Sequence, residues 1–462
     1  MTRLLLVLAV LLASISVPLV DASAQSARSE SATVPVTPIL SARRFPAALQ
    51  SRFDADIAAS LQGYLAKVQG TSCAIVEHDG RVIYNRAGAE EFAPASVMKL
   101  ATALAALDIL GPDHVFTTEF KAEAPAKKGV ISGDLYVVGG GDPLLATKGY
   151  TSVFDDPDQF YEDFNVLADR LADAGITEIT GGLVGDDSRY DNTRWIPSWP
   201  SRYQLGGTVG PLSALIVNDG STGYTETPAA PTTNRKAGDS PLLFVQTLKT
   251  VLIAKGINVG GDASTGRAPN DTVDIAAFDS VPLTQVLSEM LLNSDNTTAE
   301  LVTREIGLVA RGSGTTTAGL DAIRESLTKQ GFDLDGFVML DGSGLDTGNR
   351  MSCALALAFF NALAGKTDLA SALPLGGRTG TLRKRMLASA STGRVRAKTG
   401  TLNSVNALAG RADTPQGSVL TFAFLHNGSD SRTTAVADGF TDRLMPFAKD
   451  SKFSSIGPAP IK

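Results

Sequence analysis

The sequence predicts an α+β fold with β-rich material inserted between two parts of the chain, and three observations support this prediction. Helical periodicity covers residues 94–110, ends at a Gly-Pro pair, and returns over residues 283–306. Strand-like runs follow in residues 394–425 and predict an antiparallel sheet. Residues 113–280 differ from both, because short strand-like segments there are separated by glycines, with one or two helical stretches.

Length and composition limit the possible classes of protein. The chain has 462 residues, of which 43% are hydrophobic, so it can bury a sizeable core and is expected to form more than one domain. Its net charge of -7 and isoelectric point near 5.2 provide no basic surface for a phosphate backbone. We therefore expect no nucleic-acid partner.

The N-terminus has the pattern of a signal peptide over residues 1–24. Arg3 precedes an apolar run over residues 4–20, and the small residues Ala22-Ser23-Ala24 follow as a cleavage pattern. The alternative is a membrane anchor, but the run is short for a membrane span and contains two serines and a proline. We expect an exported mature protein without an integral membrane span. Residues 25–43 are expected to be a flexible leader and residues 451–462 a C-terminal tail.

Cys73 and Cys353 are the two cysteines of the chain. An exported protein permits them to form a disulfide, but both lie in apolar runs, so two buried free thiols are an equally good interpretation. The two cysteines and the three histidines show none of the close spacings of a zinc site. The sequence indicates no metal and no cofactor.

The first candidate catalytic motif is Ser96-Val97-Met98-Lys99, which opens the helical stretch after Pro94. Residues three apart share a helix face, so Lys99 can reach the Ser96 hydroxyl. In the first helical turn, free amides and the positive end of the helix dipole would stabilise a developing negative charge. Burial and a second nearby cation would lower the pKa of the lysine and let it accept the serine proton.

A second Ser-x-x-Lys string, Ser326-Leu327-Thr328-Lys329, shows that this pattern also arises by chance. It ends a helical stretch just before Gln330-Gly331, where the helix dipole is negative and opposes ionisation of a serine. We interpret this copy as a solvated helix end.

The second candidate motif, Ser294-Asp295-Asn296, interrupts two helical segments. Short polar side chains at such a break can project into a cleft. Ser294 would relay a proton between Lys99 and the leaving amine, and Asn296 would hold Lys99 and donate to the substrate backbone. The alternative interpretation of this tripeptide is a helix N-cap.

The third candidate motif, Lys398-Thr399-Gly400-Thr401, falls in a strand-like run. Lys398 would supply positive potential, Thr399 would bind a substrate carboxylate, and Gly400 would permit close approach of an extended peptide. The amides of Thr401 and Ser96 would form an oxyanion hole. The alternative is a surface strand end with an exposed lysine. A near copy, Arg378-Thr379-Gly380-Thr381, is assigned no role.

The order Ser-x-x-Lys, Ser-Asp-Asn, Lys-Thr-Gly is that of penicillin-binding proteins and class A β-lactamases. The long separation between the first two motifs, together with the segments 138–143 and 341–345, resembles the low-molecular-mass penicillin-binding proteins of the D-alanyl-D-alanine carboxypeptidase/endopeptidase type. This resemblance implies a β-lactamase/transpeptidase-like catalytic domain, an antiparallel sheet flanked by helices, formed by residues 44–112 and 281–450. It implies two small insert domains within residues 113–280.

The resemblance also implies the activity. Ser96 would attack the carbonyl of a penultimate D-alanine in a peptidoglycan stem peptide ending in D-Ala-D-Ala, and water would hydrolyse the acyl-enzyme. β-Lactam antibiotics would acylate the same serine. Two alternatives are a serine β-lactamase and a catalytically idle protein that binds the cell wall.

Overall fold

The computed structural model describes residues 46–445 except 155, 157–158, 228–234, 367, 416 and 429–433. The signal peptide, the leader and the C-terminal tail expected from the sequence lie outside the described residues. Within them, the helices are α1 Pro46–Leu65, α2 Lys99–Ile109, α3 Lys148–Thr151, α4 Asn165–Asp173, α5 Arg202–Leu205, α6 Ser240–Ala254, α7 Leu283–Asn293, α8 Asn296–Arg311, α9 Thr316–Lys329, α10 Cys353–Lys366, α11 Leu369–Ala372 and α12 Ala435–Arg443.

The strands of the described part are β1 Thr71–His78, β2 Arg81–Arg86, β3 Glu91–Phe92, β4 Thr117–Ala122, β5 Val130–Ile131, β6 Leu135–Val138, β7 Leu145–Ala146, β8 Glu162–Asp163, β9 Glu178–Ile179, β10 Leu183–Asp186, β11 Asn258–Val259, β12 Ala263–Thr265, β13 Val273–Asp279, β14 Met351–Ser352, β15 Val395–Leu402, β16 Val405–Asp413 and β17 Val419–Asn427. Short 3-10 helices cover Ala95–Met98, Asn218–Gly220 and Gly380–Leu382.

One antiparallel sheet joins strands from both ends of the described chain, in the order β15-β16-β17-β1-β2. Helices cover both of its faces, and the alternation along β1 shows how. Cys73 and Ile75 belong to the core beneath α2, α8 and α10, whereas Ala74 and Val76 belong to the core beneath α1 and α12. Because successive side chains of a strand point to opposite faces, a strand buried on both sides has an apolar run without alternation.

A disulfide between Cys73 and Cys353 ties β1 to the first residue of α10. The sequence left two buried thiols and a disulfide equally open, and the structure has the disulfide. Both cysteines are fully buried, and 280 positions separate them in the chain. The bond therefore connects the two parts of the chain that build this sheet and its helices.

A second sheet, with the order β12-β10-β6-β4-β13, lies wholly within residues 113–280. Its strands are mixed in direction, since β10 is parallel to β6 and β12 while β4 is antiparallel to β6 and β13. It shares a core with α4 and α6, in which Phe164 and Phe244 make an edge-to-face contact. This segment thus has its own sheet and its own hydrophobic core.

The described residues from Ala47 onward belong to one compact unit, so the proposed division of residues 113–280 into two small domains stays a prediction. In the described part of the chain, no helix is both long enough and apolar enough to cross a membrane. The α+β class predicted from periodicity agrees with the observed helices and sheets.

Candidate active site

The three sequence motifs meet at one cleft with a volume of about 410 Å³. Its lining side chains come from the 3-10 helix before α2, the α7–α8 connection, β15 and the turn after it, the segment after Gly380, the 341–345 loop, the residue before α12 and the 200–210 region of the insert. The lining residues are Ser96, Tyr203, Thr208, Ser294, Asn296, Leu345, Thr381, Arg385, Thr399, Thr401, Leu402, Asn403 and Thr434. The structure therefore brings the sequence-predicted residues together, with Lys99 and Lys398 fully buried.

Ser96 lines the cleft, and Lys99 is fully buried and bonded to Ser96. Ser96 lies in the short 3-10 helix that runs directly into α2, and Lys99 is the first residue of α2. The Lys99 Nζ donates to three oxygens: Ser96 Oγ at 3.0 Å, Asn296 Oδ1 at 2.7 Å and the Ser343 carbonyl at 2.7 Å. Those three donations use the three hydrogens of the charged ammonium. The neutral amine has two hydrogens and one lone pair, so donation to Asn296 and Ser343 leaves the lone pair to accept from the Ser96 hydroxyl.

Burial lowers the pKa of the Lys99 amine from 10.5 to about 8, against the opposing charges of Asp295, Glu300 and Asp341. A lysine with this pKa is partly neutral near pH 7–8, which is the form that can accept a proton. The sequence-based expectation was depression by burial and a second cation. In the structure, burial is the principal cause of the shift.

The Ser-Asp-Asn motif caps α8, and its asparagine also holds Lys99. Asp295 is the N-cap of α8, and its carboxylate accepts a hydrogen bond from the Thr298 amide at 2.6 Å. Ser294 and Asn296, on either side of this cap, line the cleft. The Asn296 Nδ2 donates to the Thr208 carbonyl at 2.8 Å, so this one side chain connects Lys99 to the wall of the cleft.

Strand β15 forms the opposite side of the cleft and is an edge strand of the sheet. Thr399 and Thr401 are two positions apart on this strand, so their side chains lie on the same face, and both line the cleft. Lys398 is fully buried, and its Nζ donates to the Thr399 carbonyl at 3.0 Å. Burial, followed by the charge of Lys99, lowers the pKa of the Lys398 amine well below its usual value. The alternative of an exposed lysine at a surface strand end is therefore wrong.

Gly400 is needed for a close approach within the protein itself. A side-chain carbon at this position would lie 2.6 Å from the Pro94 carbonyl oxygen and 3.1 Å from the Ala95 Cβ. Glycine therefore lets β15 pack against the segment that presents Ser96. We expected Gly400 to admit a substrate peptide, and the approach that the structure shows is by residues 94–95.

Two non-glycine residues beside the cleft have left-handed backbone conformations. Ala95, directly before Ser96, has φ 46°, and Ser294 has φ 60°. Such conformations cost of order 1–3 kcal/mol and persist where the surrounding structure enforces them, often at functional sites. Ala95 thereby fixes the position of the Ser96 hydroxyl next to it in the chain, and Ser294 fixes the position of its own hydroxyl.

Thr381 and Arg385 are two of the cleft residues that sequence reasoning missed. The Thr381 hydroxyl lies 2.7 Å from the Thr399 hydroxyl. Arg385 is the one residue with a charged side chain among the described residues that line the cleft, and Asp438 orients it with hydrogen bonds of 3.1 and 2.7 Å. Thr381 belongs to the near copy of the third motif, so its signal was present in the sequence but was set aside.

The wall formed by the insert is anchored on α8. The Arg304 side chain is fully buried and pairs with Asp191 at 3.1 Å. Glu305 accepts two hydrogen bonds from Arg189, at 2.9 and 2.6 Å. Closer to the cleft, the Gly210 amide donates to Thr297 Oγ1 at 2.7 Å. Helix α8 thus carries Asn296 at its first turn and fixes the insert further along, which sets the distance between the two sides.

The second Ser-x-x-Lys string lies at the C-terminal end of α9, and none of its residues lines the cleft. Our interpretation of it as a solvated helix end is wrong for the serine. Ser326 is buried, with 4% of its surface exposed, and its hydroxyl donates to Asp108 Oδ2 at 2.6 Å. Lys329 is exposed and pairs with Glu325 at 2.7 Å.

Comparison with known proteins gives consistent results at the level of family. The model of the D-Ala-D-Ala carboxypeptidase 3 (S13) family matches residues 55–242 and 232–444. The D-alanyl-D-alanine carboxypeptidase of Actinomadura sp. strain R39 is 31% identical, over 80% of each chain. The carboxypeptidase DacB of Mycolicibacterium smegmatis is also 31% identical, over 73% of this chain and 71% of that one.

Solved structures show the same fold. Penicillin binding protein 4 of Haemophilus influenzae superposes with a TM-score of 0.69 at 20% sequence identity, over 85% of this chain and 98% of that one. A structure of that protein in complex with a novel β-lactam superposes with a TM-score of 0.61 over the same shares. With the family match over most of its length and the converging motifs in its cleft, the chain belongs to the D-Ala-D-Ala carboxypeptidase (S13) family and is a serine-type D-Ala-D-Ala carboxypeptidase.

Proposed function

We propose that the reaction of this peptidase passes through an acyl-enzyme on Ser96, with Lys99 as the base. The Ser96 Oγ forms a bond to the carbonyl carbon of the penultimate D-alanine while its proton passes to Lys99 Nζ. The peptide C–N bond then breaks, the terminal D-alanine leaves with a proton, and water hydrolyses the ester. The observation that carries this proposal is the 3.0 Å contact between Lys99 Nζ and Ser96 Oγ, with both other acceptors of the amine fixed by the protein.

Ser294 is proposed as the relay that returns the proton to the leaving amine. It lines the cleft on the α7–α8 connection, close in sequence to Asn296, which is bonded to Lys99. A hydroxyl can donate and accept at once, so it can pass a proton from Lys99 to a nitrogen without changing its own charge. Its left-handed backbone holds it at the break between the two helices.

The side of the cleft formed by β15 is proposed to bind the oxyanion and the free carboxylate next to the scissile bond. The amides of Ser96 and Thr401 form the oxyanion hole. The Thr399 hydroxyl, held by Thr381, and the Arg385 guanidinium bind the carboxylate. Lys398 acts through the electrostatic potential beneath Thr399, since its Nζ is bonded to the Thr399 carbonyl.

β-Lactam antibiotics are proposed to acylate Ser96 and inhibit the enzyme, because their strained amide and free carboxylate match the same groups of the cleft. The support from comparison is a structure of the Haemophilus influenzae protein in complex with a β-lactam. The serine β-lactamase alternative differs in how fast water hydrolyses the acyl-enzyme, and the idle cell-wall-binding alternative differs in forming none.

We also propose that the substrates are peptidoglycan stem peptides ending in D-Ala-D-Ala and that the protein is exported to meet them. The support is the family and the signal-peptide pattern of residues 1–24. Residues 44–112 and 281–450 are proposed as the catalytic domain, and residues 113–280 as the insert. The sheet that joins strands from both chain ends and the separate core within the insert support this division.

The test uses the mature chain with two substrates. Release of D-alanine from a peptide ending in D-Ala-D-Ala is expected, together with a stable mass adduct after incubation with benzylpenicillin. Rapid steady-state hydrolysis of benzylpenicillin without an accumulating adduct would favour the β-lactamase. If the antibiotic stays intact, no adduct forms and no D-alanine is released, the protein is the catalytically idle cell-wall-binding alternative.

A further inference from the structure

The loop Asp341–Leu345 supplies one of the three oxygens that hold Lys99, and the sequence did not anticipate this role. The Ser343 carbonyl accepts from Lys99 Nζ at 2.7 Å, and Ser343 is fully buried. The loop packs against the segment that presents Ser96, because a side-chain carbon at Gly344 would lie 2.0 Å from the Ala95 carbonyl oxygen. Small changes in this loop therefore reach Lys99 and Ser96 together.

A buried carboxylate on α8 sets the orientation of this loop. Glu300 is fully buried, and its two oxygens accept the amides of Gly342 at 3.2 Å and Ser343 at 2.7 Å. From α2, the buried Thr102 hydroxyl donates to the Gly342 carbonyl at 2.7 Å. Glu300 and Thr102 thus fix the peptide between Gly342 and Ser343 from its two sides. The Ser343 carbonyl belongs to the next planar peptide, whose Gly344 amide donates to Asp341 Oδ1 at 2.8 Å.

Glu300 is four positions after Asn296 on the same helix, so both lie on one face of α8. Asn296 holds Lys99 directly, and Glu300 reaches it through the Ser343 carbonyl. One helix face therefore carries one of the two acceptors of the neutral amine and holds the residue that supplies the other.

We propose that Glu300 is a positioning residue for acylation: its carboxylate holds the Gly342 and Ser343 amides, so that the Ser343 carbonyl stays against Lys99 and the lysine lone pair stays on the Ser96 hydroxyl. This inference rests on the proposed roles of Ser96 and Lys99. No bond forms or breaks at Glu300 in this step, and it touches neither the substrate nor the reacting atoms. Its action is geometric and electrostatic.

The negative charge of Glu300 also affects the pKa of Lys99, and a change in the pH dependence of acylation would distinguish this role from a purely structural one. The charged groups facing Lys99 are the carboxylates of Asp295, Glu300 and Asp341 and the amine of Lys398. Burial, followed by the charge of Asp341, raises the pKa of Glu300 itself to about 7, so it is largely ionised where Lys99 titrates. Removing the negative charge of Glu300 lowers the pKa of Lys99, and the neutral amine then forms at lower pH.

The experiment measures the acylation rate constant with a fluorescent penicillin as a function of pH in the full mature chain. Glu300→Gln presents an amide NH₂ to one of the two loop amides and loses that hydrogen bond. We expect acylation to fall about 100-fold, the cost of a misplaced catalytic group, with the rise in rate moving to lower pH. Glu300→Asp keeps the charge, so its rate falls while the pH of the rise stays near that of the wild type.

The matched control is Glu162→Gln, which changes another buried carboxyl that accepts a backbone amide. Its partner is Val281 N at 2.6 Å, and it is not among the groups that face Lys99. It is expected to acylate at the wild-type rate. Rate constants are taken per active site from the amplitude of labelling, so a loss of folded protein does not alter them. Wild-type rate and pH profile in Glu300→Gln would overturn the positioning inference alone.

The failure of the proposed function looks different. Labelling that persists in Ser96→Ala would show that Ser96 is not the nucleophile, and the inference rests on that role. A Glu300→Gln variant with a lowered melting temperature, but with an unchanged rate and pH profile per active site, would reduce Glu300 to a structural residue and also overturn the inference.

Discussion

Two four-residue strings with the same Ser-x-x-Lys spacing lie in this chain, and their surroundings differ in every respect that matters for chemistry. At the start of α2, Lys99 is fully buried and bonded to Ser96 Oγ. At the end of α9, the Lys329 side chain is 71% exposed and pairs with Glu325 one helical turn before it. The spacing alone therefore does not make a nucleophile and base.

The serines differ as much as the lysines. Ser96 lines the cleft and has a lysine as its hydrogen-bond partner. Ser326 is buried against the Asp108 carboxylate, whose negative charge opposes formation of an alkoxide. A pattern becomes an active site when burial makes the lysine a base and an opening leaves the serine accessible to substrate.

The largest effect is expected from exchanging the two serines for alanine, one at a time. Ser96→Ala removes the nucleophile, so the mass adduct with benzylpenicillin is expected to disappear. Ser326→Ala removes a buried hydrogen bond and is expected to cost about 1–3 kcal/mol of stability with the adduct retained. Intact-protein mass and thermal melting measure both. An adduct on Ser96→Ala that disappears in Ser326→Ala would reverse our assignment.

The lysines are expected to give the next largest effect. Lys99→Met keeps the buried volume but removes the base, so acylation is expected to fall about 10²–10⁴-fold. In the wild type, acylation rises with pH through about 8 because deprotonation of Lys99 creates the base. That rise is expected to be absent from Lys99→Met.

Lys329→Met is the matched control for this pH dependence. Its lysine is exposed, so the rate and its rise with pH are expected to match those of the wild type. A Lys99→Met variant that retains the rise near pH 8 would assign that titration to another group and would contradict the role of Lys99 as base.

Much of the site could be predicted from the sequence because each motif has a local signature. The helix opened by Pro94, the break at Ser294-Asp295-Asn296 and the strand through Lys398 all depend on residues close together in the chain. The order of the motifs supplied the long-range link that local patterns lack. The predicted helices and strands around them were correct within a few residues.

The remaining parts depend on contacts between distant segments. The hydrogen bond from Lys99 to the Ser343 carbonyl involves the backbone of a loop, and any residue type supplies a carbonyl. The disulfide between Cys73 and Cys353 depends on β1 meeting the start of α10. Residue type and spacing do not predict contacts between segments that are distant in the chain. The pairing of the two cysteines therefore stayed open from the sequence alone, and the contact between the loop and Lys99 was not predicted.

The two Thr-Gly-Thr strings give a second comparison, with the opposite outcome. Here the copy that was set aside takes part in the cleft, because Thr381 contacts the hydroxyl of Thr399 at 2.7 Å. The 374–376 segment before that copy bonds to the outer edge of β15 at Val395 and Ala397. This pairing brings the Thr379-Gly380-Thr381 string beside the Thr399-Gly400-Thr401 string. The first of these strings was dismissed as a chance copy, although it contacts the other.

The smallest effect is expected from Thr381→Val, which keeps the shape of the side chain and removes the hydroxyl that holds Thr399. Loss of one neutral hydrogen bond, about 0.5–1.5 kcal/mol, is expected to slow acylation up to about 10-fold without moving its pH dependence. The matched control is Thr328→Val in the α9 string, whose hydroxyl bonds only within its own helix, to Arg324 O at 2.8 Å. Equal rates in both variants would show that Thr399 is held without Thr381. A shift in the pH profile of Thr381→Val would instead connect Thr381 to the titration of Lys99, which the geometry does not predict.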